Sequence, residues 1–332
     1  IISLDMHKST SLVSLIILNH NGLNYLRRTI PAILELKYPN LEIIVVDNSS
    51  QDGSLEFLRK QKKITIIENT SNLGYSKAKN IGVSKSNGKY LLMLDEDILV
   101  TDVDIVSKLI SFYSKLDKPA FVNIPLVDEL SLSSGYTKRY GGYYSIFGIK
   151  YNKKICIKKI LEHKGSPIQT AVSFGGNLFT EKKVWDDLGG FDESQRFNLD
   201  DDDISLRARV IGYNNYLYNN VFFIHLGMDR RTNKHSYRQK YLFYFPGKAK
   251  AIIKNFQVQT IFYMLPLFTF RATVKTLKQT ICFLDPLILY VFFKSIIFLF
   301  SDLKKTLKKR ETIQFKRAVR DRSILTIKVP EY

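Results

Sequence analysis

The sequence predicts an α/β fold in which a mainly parallel sheet carries helices on both faces. Two observations predict this class. Short, continuous apolar runs typical of strands buried on both faces recur along the first half of the chain. Helical stretches alternate with those runs, and such β-α-β units fold into three layers through right-handed crossovers.

The first half supplies the predicted elements in order. The apolar runs at residues 12–18, 41–46, 64–67 and 90–94 are the predicted strands, and helices are predicted at residues 22–35, 54–60 and 76–85. NSSQDGS after the second run and SNGK before the fourth are turn-forming sequences.

A second group of elements follows farther along. Residues 171–180 are predicted as a strand interrupted by Gly175 and Gly176, which indicates either a bulge or room for a ligand such as a sugar. Residues 181–188 are predicted as a helix that Gly189 ends. Residues 128–169, rich in Tyr, Gly, Ser and Lys, fit no single period, and we interpret them as an acceptor-side flap or a surface insertion.

Polar side chains follow three of the predicted strands. Asn19 follows the first run, Asp47 and Asn48 the second, and Asp95 and Asp97 the fourth. Ligands of parallel sheets bind beyond the carboxyl ends of the strands, so these residues could line one crevice. Asp and Asn also cap helices, which is an alternative explanation for each of them alone.

Three consecutive acids, Asp95, Glu96 and Asp97, end the fourth run directly. Like charges at this spacing repel unless a cation neutralises them. Mg²⁺ and Mn²⁺ prefer oxygen ligands and take several of them from phosphates and water. The triplet therefore predicts a metal site that also accepts a diphosphate.

Five sequence blocks occur in an order that resembles family 2 glycosyltransferases over residues 13–225. They are VSLIILNHNG, EIIVVDNSSQDGS, NLGYSKAKNIGVSKSNGKYLLMLDED, GGNLFTEKKVWDDLGGFDE and DDDDISLRARVIGY. The resemblance is closest to the rhamnosyltransferase-like branch. It implies a GT-A fold, a Rossmann-like three-layer sandwich, with a nucleoside-diphosphate sugar as co-substrate and Mn²⁺ or Mg²⁺ as cofactor.

The same resemblance implies roles for individual residues. Asp95 and Asp97 match the metal and diphosphate motif, and His225 matches a histidine that helps to hold the metal. Asp47 would contact the nucleotide base or ribose. The other donor-binding residues implied are Asn19, Asn48, Asn72, Gly74, Lys79, Asn80, Asp95 and Gly176.

A run of four acids, from Asp200 to Asp203, precedes an apolar helical face. Carboxylates are favoured at helix N-termini, and this explains one or two of the four. By resemblance, Asp200 takes the place of a Glu and Asp201 that of the catalytic base, with Asp202 as the alternative. A carboxylate that removes the proton of an acceptor hydroxyl predicts direct displacement with inversion.

Other functions fit parts of the sequence. A sugar nucleotidyltransferase also uses an α/β sheet and a metal, but its Gly-rich phosphate loop would be reduced here to Gly22. A non-catalytic, transferase-like binding protein is the other alternative. Nucleic acid is not expected as a partner, because the C-terminal charges alternate with aliphatic and aromatic runs.

Charge and composition divide the chain. The net charge is +19, of which +16 lies in residues 228–332. The predicted units are residues 1–127 for the nucleotide sugar, 128–227 for the acceptor, and 228–332 as a basic extension. Two cysteines, Cys156 and Cys282, form no disulfide framework and favour a reducing compartment.

The extension has three interpretations. Helices lying on an anionic membrane are favoured, with a re-entrant or spanning hairpin near residues 281–300 and a packed soluble extension as alternatives. No cleavable signal peptide is visible at the start of the sequence. We expect a cytoplasmic protein, peripheral or monotopic on the cytoplasmic membrane face, with a glycan or lipid-linked acceptor.

Overall fold

The computed structural model describes residues 10–137, 142–144, 150–151, 155–162, 167–195, 199–227 and 234–327. Its strands are β1 Val13–Asn19, β2 Leu41–Asp47, β3 Ile64–Glu68, β4 Tyr90–Asp95, β5 Ile98–Leu99, β6 Pro119–Asn123, β7 Leu126–Asp128, β8 Tyr136–Thr137, β9 Tyr143–Tyr144, β10 Lys150–Tyr151, β11 Ile155–Cys156, β12 Ile168–Thr170, β13 Asn177–Glu181, β14 Asn214–Leu217 and β15 Phe223–His225. Its helices are α1 Leu23–Leu34, α2 Ser54–Arg59, α3 Tyr75–Ser84, α4 Ile105–Tyr113, α5 Ile157–Glu162, α6 Lys182–Leu188, α7 Asp200–Val210, α8 Lys234–Asn255, α9 Val258–Phe283, α10 Leu287–Ser301, α11 Leu303–Phe315 and α12 Asp321–Leu325.

An eight-stranded sheet forms the centre of the fold, in the order β12-β14-β6-β13-β4-β1-β2-β3. The predicted strands β4, β1, β2 and β3 are neighbours and parallel. β13 runs antiparallel between β4 and β6, and β12 runs antiparallel at the edge. The prediction of an α/β fold with a mainly parallel sheet is confirmed.

Both faces of the sheet are covered, which explains why the strand sequences are continuously apolar. In β1, Leu15 and Ile17 join the core on one face with Ile30 of α1. Ile16 joins the core on the other face with Ala78 of α3. Alternate residues of a strand point to opposite faces, so every side chain of a strand buried on both sides faces an apolar core.

The strand register places the polar strand ends in one row. Asn19 of β1 is paired with Asp47 of β2, and Leu18 of β1 is paired with Asp95 of β4. Beside this edge lies a small sheet in the order β5-β15-β7. Strand β5 begins one residue after Asp97, and strand β15 ends at His225. The small sheet therefore brings residues that are distant in sequence to the same crevice.

Two predictions around the acceptor side need qualification. Residues 171–176 do not form a strand: Gly175 and Gly176 lie in a turn, and β13 begins only at Asn177. Much of the predicted flap, residues 138–141, 145–149, 152–154 and 163–166, lies outside the described residues. The rest of it holds the short strands from β8 to β11 and helix α5.

The C-terminal extension packs onto the α/β domain. Leu206 and Val210 of α7 share one apolar core with Ile252 and Phe256 of α8 and with Ile313 of α11. A further core joins α8 to α10. In the parts of the chain that the structure describes, no helix combines the length and the apolar character needed to cross a membrane.

Candidate active site

The first part of the crevice is a hydrogen-bonded group at the ends of β1 and β2. Asn19 donates from Nδ2 to Asp47 Oδ1 at 2.7 Å and to Ser50 Oγ at 3.0 Å. Asp47 Oδ2 accepts the backbone N–H of Ser50 at 3.0 Å. These bonds fix the buried carboxylate of Asp47 at the mouth of the sheet, where the sequence predicted a nucleotide contact.

Asn48 extends this group toward the start of α3. Its Nδ2 donates to Asn72 Oδ1 at 2.9 Å, and Asn72 Oδ1 also accepts the N–H of Gly74. Gly74 has a φ of 81°, a backbone conformation that favours glycine. The structure thus brings together Asn19, Asp47, Asn48, Asn72 and Gly74, all predicted donor-binding residues.

Asp95, at the end of β4, is held by a buried lysine and a tyrosine. Lys79 Nζ lies 3.2 Å from Asp95 Oδ1 and also donates to the Leu94 carbonyl. The Tyr75 hydroxyl oxygen lies 3.1 Å from Asp95 Oδ1. Burial raises the pKa of Asp95 despite the nearby Lys79 cation, and burial lowers the pKa of Lys79.

The third acid of the triplet, Asp97, faces a histidine that lies between two carboxylates. His225 Nε2 lies 3.2 Å from Asp97 Oδ2, and His225 Nδ1 lies 2.9 Å from Asp128 Oδ1. A carboxylate on one ring nitrogen fixes the orientation of the imidazole toward its other partner. Asp128 was not predicted as a site residue, although it ends β7 as Asp47 and Asp95 end their strands.

Room for an ion lies beside both carboxylates. A Cβ at Gly176 would come to 3.5 Å from Asp95 Oδ2, and one at Gly227 would lie only 2.3 Å from Asp97 Oδ2. No cage of three or more His, Cys, Asp or Glu side chains forms among the described residues. A pair of carboxylates completed by phosphate and water oxygens nevertheless fits the chemistry of Mg²⁺ or Mn²⁺.

Glu96, between the two aspartates, shows how crowded with negative charge this corner is. Burial, followed by the neighbouring charges of Asp95 and Asp97, raises the pKa of Glu96 to about 8. Glu96 therefore stays protonated near neutral pH, which removes one of the three negative charges from the triplet.

The four acids on the first turn of α7 differ in their burial and in their hydrogen-bond partners. Asp201 is half-buried, whereas Asp200, Asp202 and Asp203 are buried. Asp201 Oδ2 accepts the N–H of Gly175 at 3.2 Å, and Oδ1 accepts the N–H of Asp202 at 2.9 Å. Asp201, the predicted base, is therefore the member of the run that reaches toward the crevice.

The other members of the run face different partners. Asp202 Oδ2 lies 2.8 Å from Lys248 Nζ of α8. Asp203 lies 2.9 Å from Lys254 Nζ. Burial, and then the charge of Asp201, raises the pKa of Asp200 to about 7, and its Oδ1 has no hydrogen-bond partner among the described residues. Asp202, the predicted alternative base, is thus neutralised inside the protein.

One tyrosine connects the two acidic centres. The Tyr75 hydroxyl lies 3.1 Å from Asp95 Oδ1 and 2.7 Å from the Gly175 carbonyl oxygen, while the Gly175 amide holds Asp201. Asp95 and Asp201 therefore lie on two sides of the same Tyr75–Gly175 contact. Tyr75 was not predicted as a site residue, and what marks it in the sequence is its place directly after Gly74.

One predicted donor contact lies elsewhere in the fold. Asn80 donates from Nδ2 to the Phe191 carbonyl at 3.0 Å and accepts the Phe191 N–H at 2.9 Å. These bonds secure the turn after α6. The side chain of Asn80 is thus engaged on that turn, while its neighbour Lys79 reaches Asp95.

Known proteins resemble part of this chain. Residues 14–170 match the family model described as glycosyl transferase family 2. This stretch is similar to that family. A segment of 110 residues, or 32% of the chain, is 34% identical to an uncharacterised glycosyltransferase of Haemophilus influenzae, of which it covers 34%.

Solved structures confirm the GT-A fold of the α/β domain. GalNAc-T7 with UDP, GalNAc and Mn²⁺ has a TM-score of 0.56 at 16% identity, covering 77% of this chain and 50% of that one. A mannosyltransferase of Pyrobaculum calidifontis with GDP-Man and Mn²⁺ has a TM-score of 0.54 at 16% identity, covering 93% and 88%. The chain spans 24–42% of the length of the first three curated relatives that it matches.

Proposed function

We propose that this protein is an inverting glycosyltransferase that moves a sugar from a nucleoside-diphosphate sugar to a hydroxyl of a glycan or lipid-linked saccharide. The observation that supports this most is the placement of Asp95 and Asp201 on two sides of Tyr75 and Gly175. One acidic centre can face the departing diphosphate while the other faces the acceptor, across a single sugar.

The acceptor side uses Asp201 as general base. An alcohol is a weak nucleophile at neutral pH, and a carboxylate within hydrogen-bond reach removes its proton as the new bond forms. The amides of Gly175 and Asp202 hold Asp201 in place. Because one carboxylate acts on the acceptor and none attacks the sugar, the anomeric configuration inverts in a single displacement.

The donor side is built from the strand ends. Asp47, Asn48 and Asn72 would bind the nucleotide, and Lys79 supplies a buried positive charge next to Asp95. Asp95, Asp97 and His225 would hold Mn²⁺ or Mg²⁺, and both of the compared structures contain Mn²⁺. Such an ion, when bound, neutralises charge that accumulates on the diphosphate.

The proposal also covers the location of the protein in the cell and the kind of acceptor. The excess of positive charge in residues 228–332 suits an anionic membrane, so we propose that the protein works as a peripheral protein on a cytoplasmic membrane face. A lipid-linked acceptor would be presented at that surface. The resemblance to the rhamnosyltransferase-like branch stays a prediction.

A panel of nucleotide sugars tests the activity. Donors that bind should raise the melting temperature of the protein in the presence of Mn²⁺ or Mg²⁺, and slow hydrolysis of the correct donor should follow. The anomeric configuration of the released sugar, read by NMR before it mutarotates, should be inverted. A retained configuration would contradict the single displacement, and binding without any turnover would favour a non-catalytic binding protein.

A further inference from the structure

Helices α9 and α10 carry exposed apolar side chains along most of their length. Phe262 is 82% exposed, Ile281 72% and Ile297 69%. We call the whole set the α9–α10 apolar face, and it consists of Phe262, Phe270, Val274, Leu277, Ile281, Leu284, Leu287, Tyr290, Phe293, Ile297 and Phe300. Single exposed apolar residues are normal on a protein surface, but a contiguous set this large marks an interaction surface.

The spacing of these residues makes a stripe on each helix. In α9 they recur at three- or four-residue intervals from residue 270 to residue 281, and in α10 they do so from residue 287 to residue 300. Residues three and four apart lie on the same side of a helix. Leu284 and Leu287 flank the turn between the helices, so the two stripes meet there.

The opposite side of α10 packs against the rest of the protein. Ile288, Phe292 and Leu299 pack into the core that α8 supplies through Phe245 and Ile253. Apart from Lys294, helix α10 is therefore apolar on both sides, while only one of its sides is covered by the protein. A helix of this kind belongs in an environment that is apolar on its second side as well.

Positive charge borders the stripes. Arg271, Lys275 and Lys278 follow Phe270, Val274 and Leu277 by one residue each, and all three cations are exposed. A step of one residue turns by about 100° around a helix, so these cations line one flank of the apolar stripe. Lys294, also exposed, does the same beside Phe293.

Residues 258–301 carry almost no negative charge. The only carboxylate in residues 258–301 is Asp285, which is buried and bound by Arg238 at 2.8 Å. The exposed surface of α9 and α10 is thus apolar with a purely cationic border. An anionic lipid surface supplies both complements, since its acyl chains accept the apolar side chains and its headgroups accept the lysines.

We propose that the α9–α10 apolar face lies in the interface of an anionic membrane, with Arg271, Lys275, Lys278 and Lys294 at the headgroups. This inference deepens the proposed function, because it assigns the membrane contact to α9 and α10 alone. Helices α8, α11 and α12, together with Met264 in the first half of α9, hold the extension against the catalytic domain through the core that they share with α7.

Vesicle co-sedimentation of the full chain tests the proposal. Vesicles of phosphatidylcholine with one-third phosphatidylglycerol should bind the protein, and vesicles of phosphatidylcholine alone should bind it far more weakly. The double variant Phe293→Glu/Ile297→Glu should lower binding to the anionic vesicles by at least tenfold. Lys275→Gln/Lys278→Gln should lower it by on the order of tenfold and weaken its dependence on salt.

Two controls separate this surface from other effects. Leu130→Glu changes an equally exposed leucine, 77% accessible, in the catalytic domain, and it should leave vesicle binding unchanged. Asp201→Asn should bind vesicles as the wild type does, so a failure of catalysis and a failure of membrane binding are distinguishable. Circular dichroism checks that each variant keeps its helices.

Three outcomes would overturn the proposal. The first is no binding to anionic vesicles. The second is equal binding to neutral and anionic vesicles, which would leave the cations without a role. The third is a stable dimer in light scattering that Phe293→Glu/Ile297→Glu dissociates while vesicle binding persists, because a second copy of the chain would then cover the face.

Discussion

Lys248 of α8 and Asp202 of α7 form a buried ion pair with 2.8 Å between Nζ and Oδ2. Lys248 also donates to the hydroxyl of Tyr144. This pair removes Asp202 from the set of candidate bases and holds the first turn of α7 against the C-terminal extension. The neighbouring Asp201 keeps its position toward Gly175 and the crevice.

Breaking this pair should be costly. Lys248→Met removes the cation that faces the buried carboxylate of Asp202, and the loss of one partner of a buried pair costs about 3–5 kcal/mol. We expect the free energy of unfolding, measured by urea titration, to fall by about that amount. A change below about 1 kcal/mol would show that Asp202 does not depend on Lys248.

Two variants calibrate that result. Lys250→Met removes a lysine that pairs with Asp302, whose side chain is 36% exposed. We expect this variant to lower the free energy of unfolding by less than about 1 kcal/mol. Lys248→Met/Asp202→Leu replaces both charges by apolar groups and should recover most of the lost stability. If the double variant is no more stable than Lys248→Met, the buried charge of Asp202 is not the cause of the loss.

Tyr75→Phe removes the hydroxyl that connects Asp95 to Gly175. The Gly175 carbonyl then loses a buried donor, which costs about 1 kcal/mol of stability. We expect kcat to fall by on the order of tenfold or more, because small displacements of the base are costly to catalysis. Tyr113→Phe is the matched control, since that hydroxyl also donates to a backbone carbonyl but lies away from the crevice. Equal kcat values for the two variants would contradict a role of Tyr75 in the site.

Gly227→Ala should disturb the donor site selectively. Its added Cβ would lie 2.3 Å from Asp97 Oδ2 and 3.0 Å from the His225 ring, so both side chains have to move. We expect little change in the melting temperature of the free protein. The additional stabilisation by Mn²⁺ and donor together should be largely lost, and full retention of that stabilisation would place the metal elsewhere.

The stability of the protein should carry a pH signature of Asp200. Its pKa in the folded state, raised to about 7 by burial and Asp201, lies above the ordinary aspartate value of 3.8. The folded state therefore binds more protons between these two values, and this group lowers stability as pH rises from about 4 to 7. Asp200→Asn should raise the melting temperature more at about pH 8 than at about pH 4. A gain that is the same at both pH values would contradict the assignment.

Much of this arrangement could be predicted from local sequence patterns. The apolar runs predicted β1 to β4 to within a residue, because strands buried on both faces leave a continuous signal. The rule that ligands bind at strand ends found Asp47, Asp95 and Asp97. The family resemblance supplied His225, whose neighbours in sequence gave no sign that it would meet Asp97 across β5 and β15.

The remaining features depend on contacts between distant segments. Local patterns do not rank four consecutive aspartates. The family resemblance placed Asp201 first and Asp202 second, and the contacts with Lys248, Lys254 and the turn at Gly175 then distinguish them. Asp128 joins the site through the small sheet, and Tyr75 joins it through its contact with the turn before β13. Both contacts are between segments that are distant in sequence. The basic composition of residues 228–332 likewise did not reveal that its buried lysines, such as Lys254 at 1% exposure, hold α7 in place.

The central claim is that Asp97 serves the donor while Asp201 activates the acceptor within one crevice. The most direct measurement compares donor affinity by calorimetry with the rate of transfer for Asp97→Asn and Asp201→Asn. Asp97→Asn should weaken metal-dependent donor binding. Asp201→Asn should bind the donor as the wild type does, yet lose transfer by on the order of a hundredfold or more. Transfer at the wild-type rate in Asp201→Asn would contradict the account.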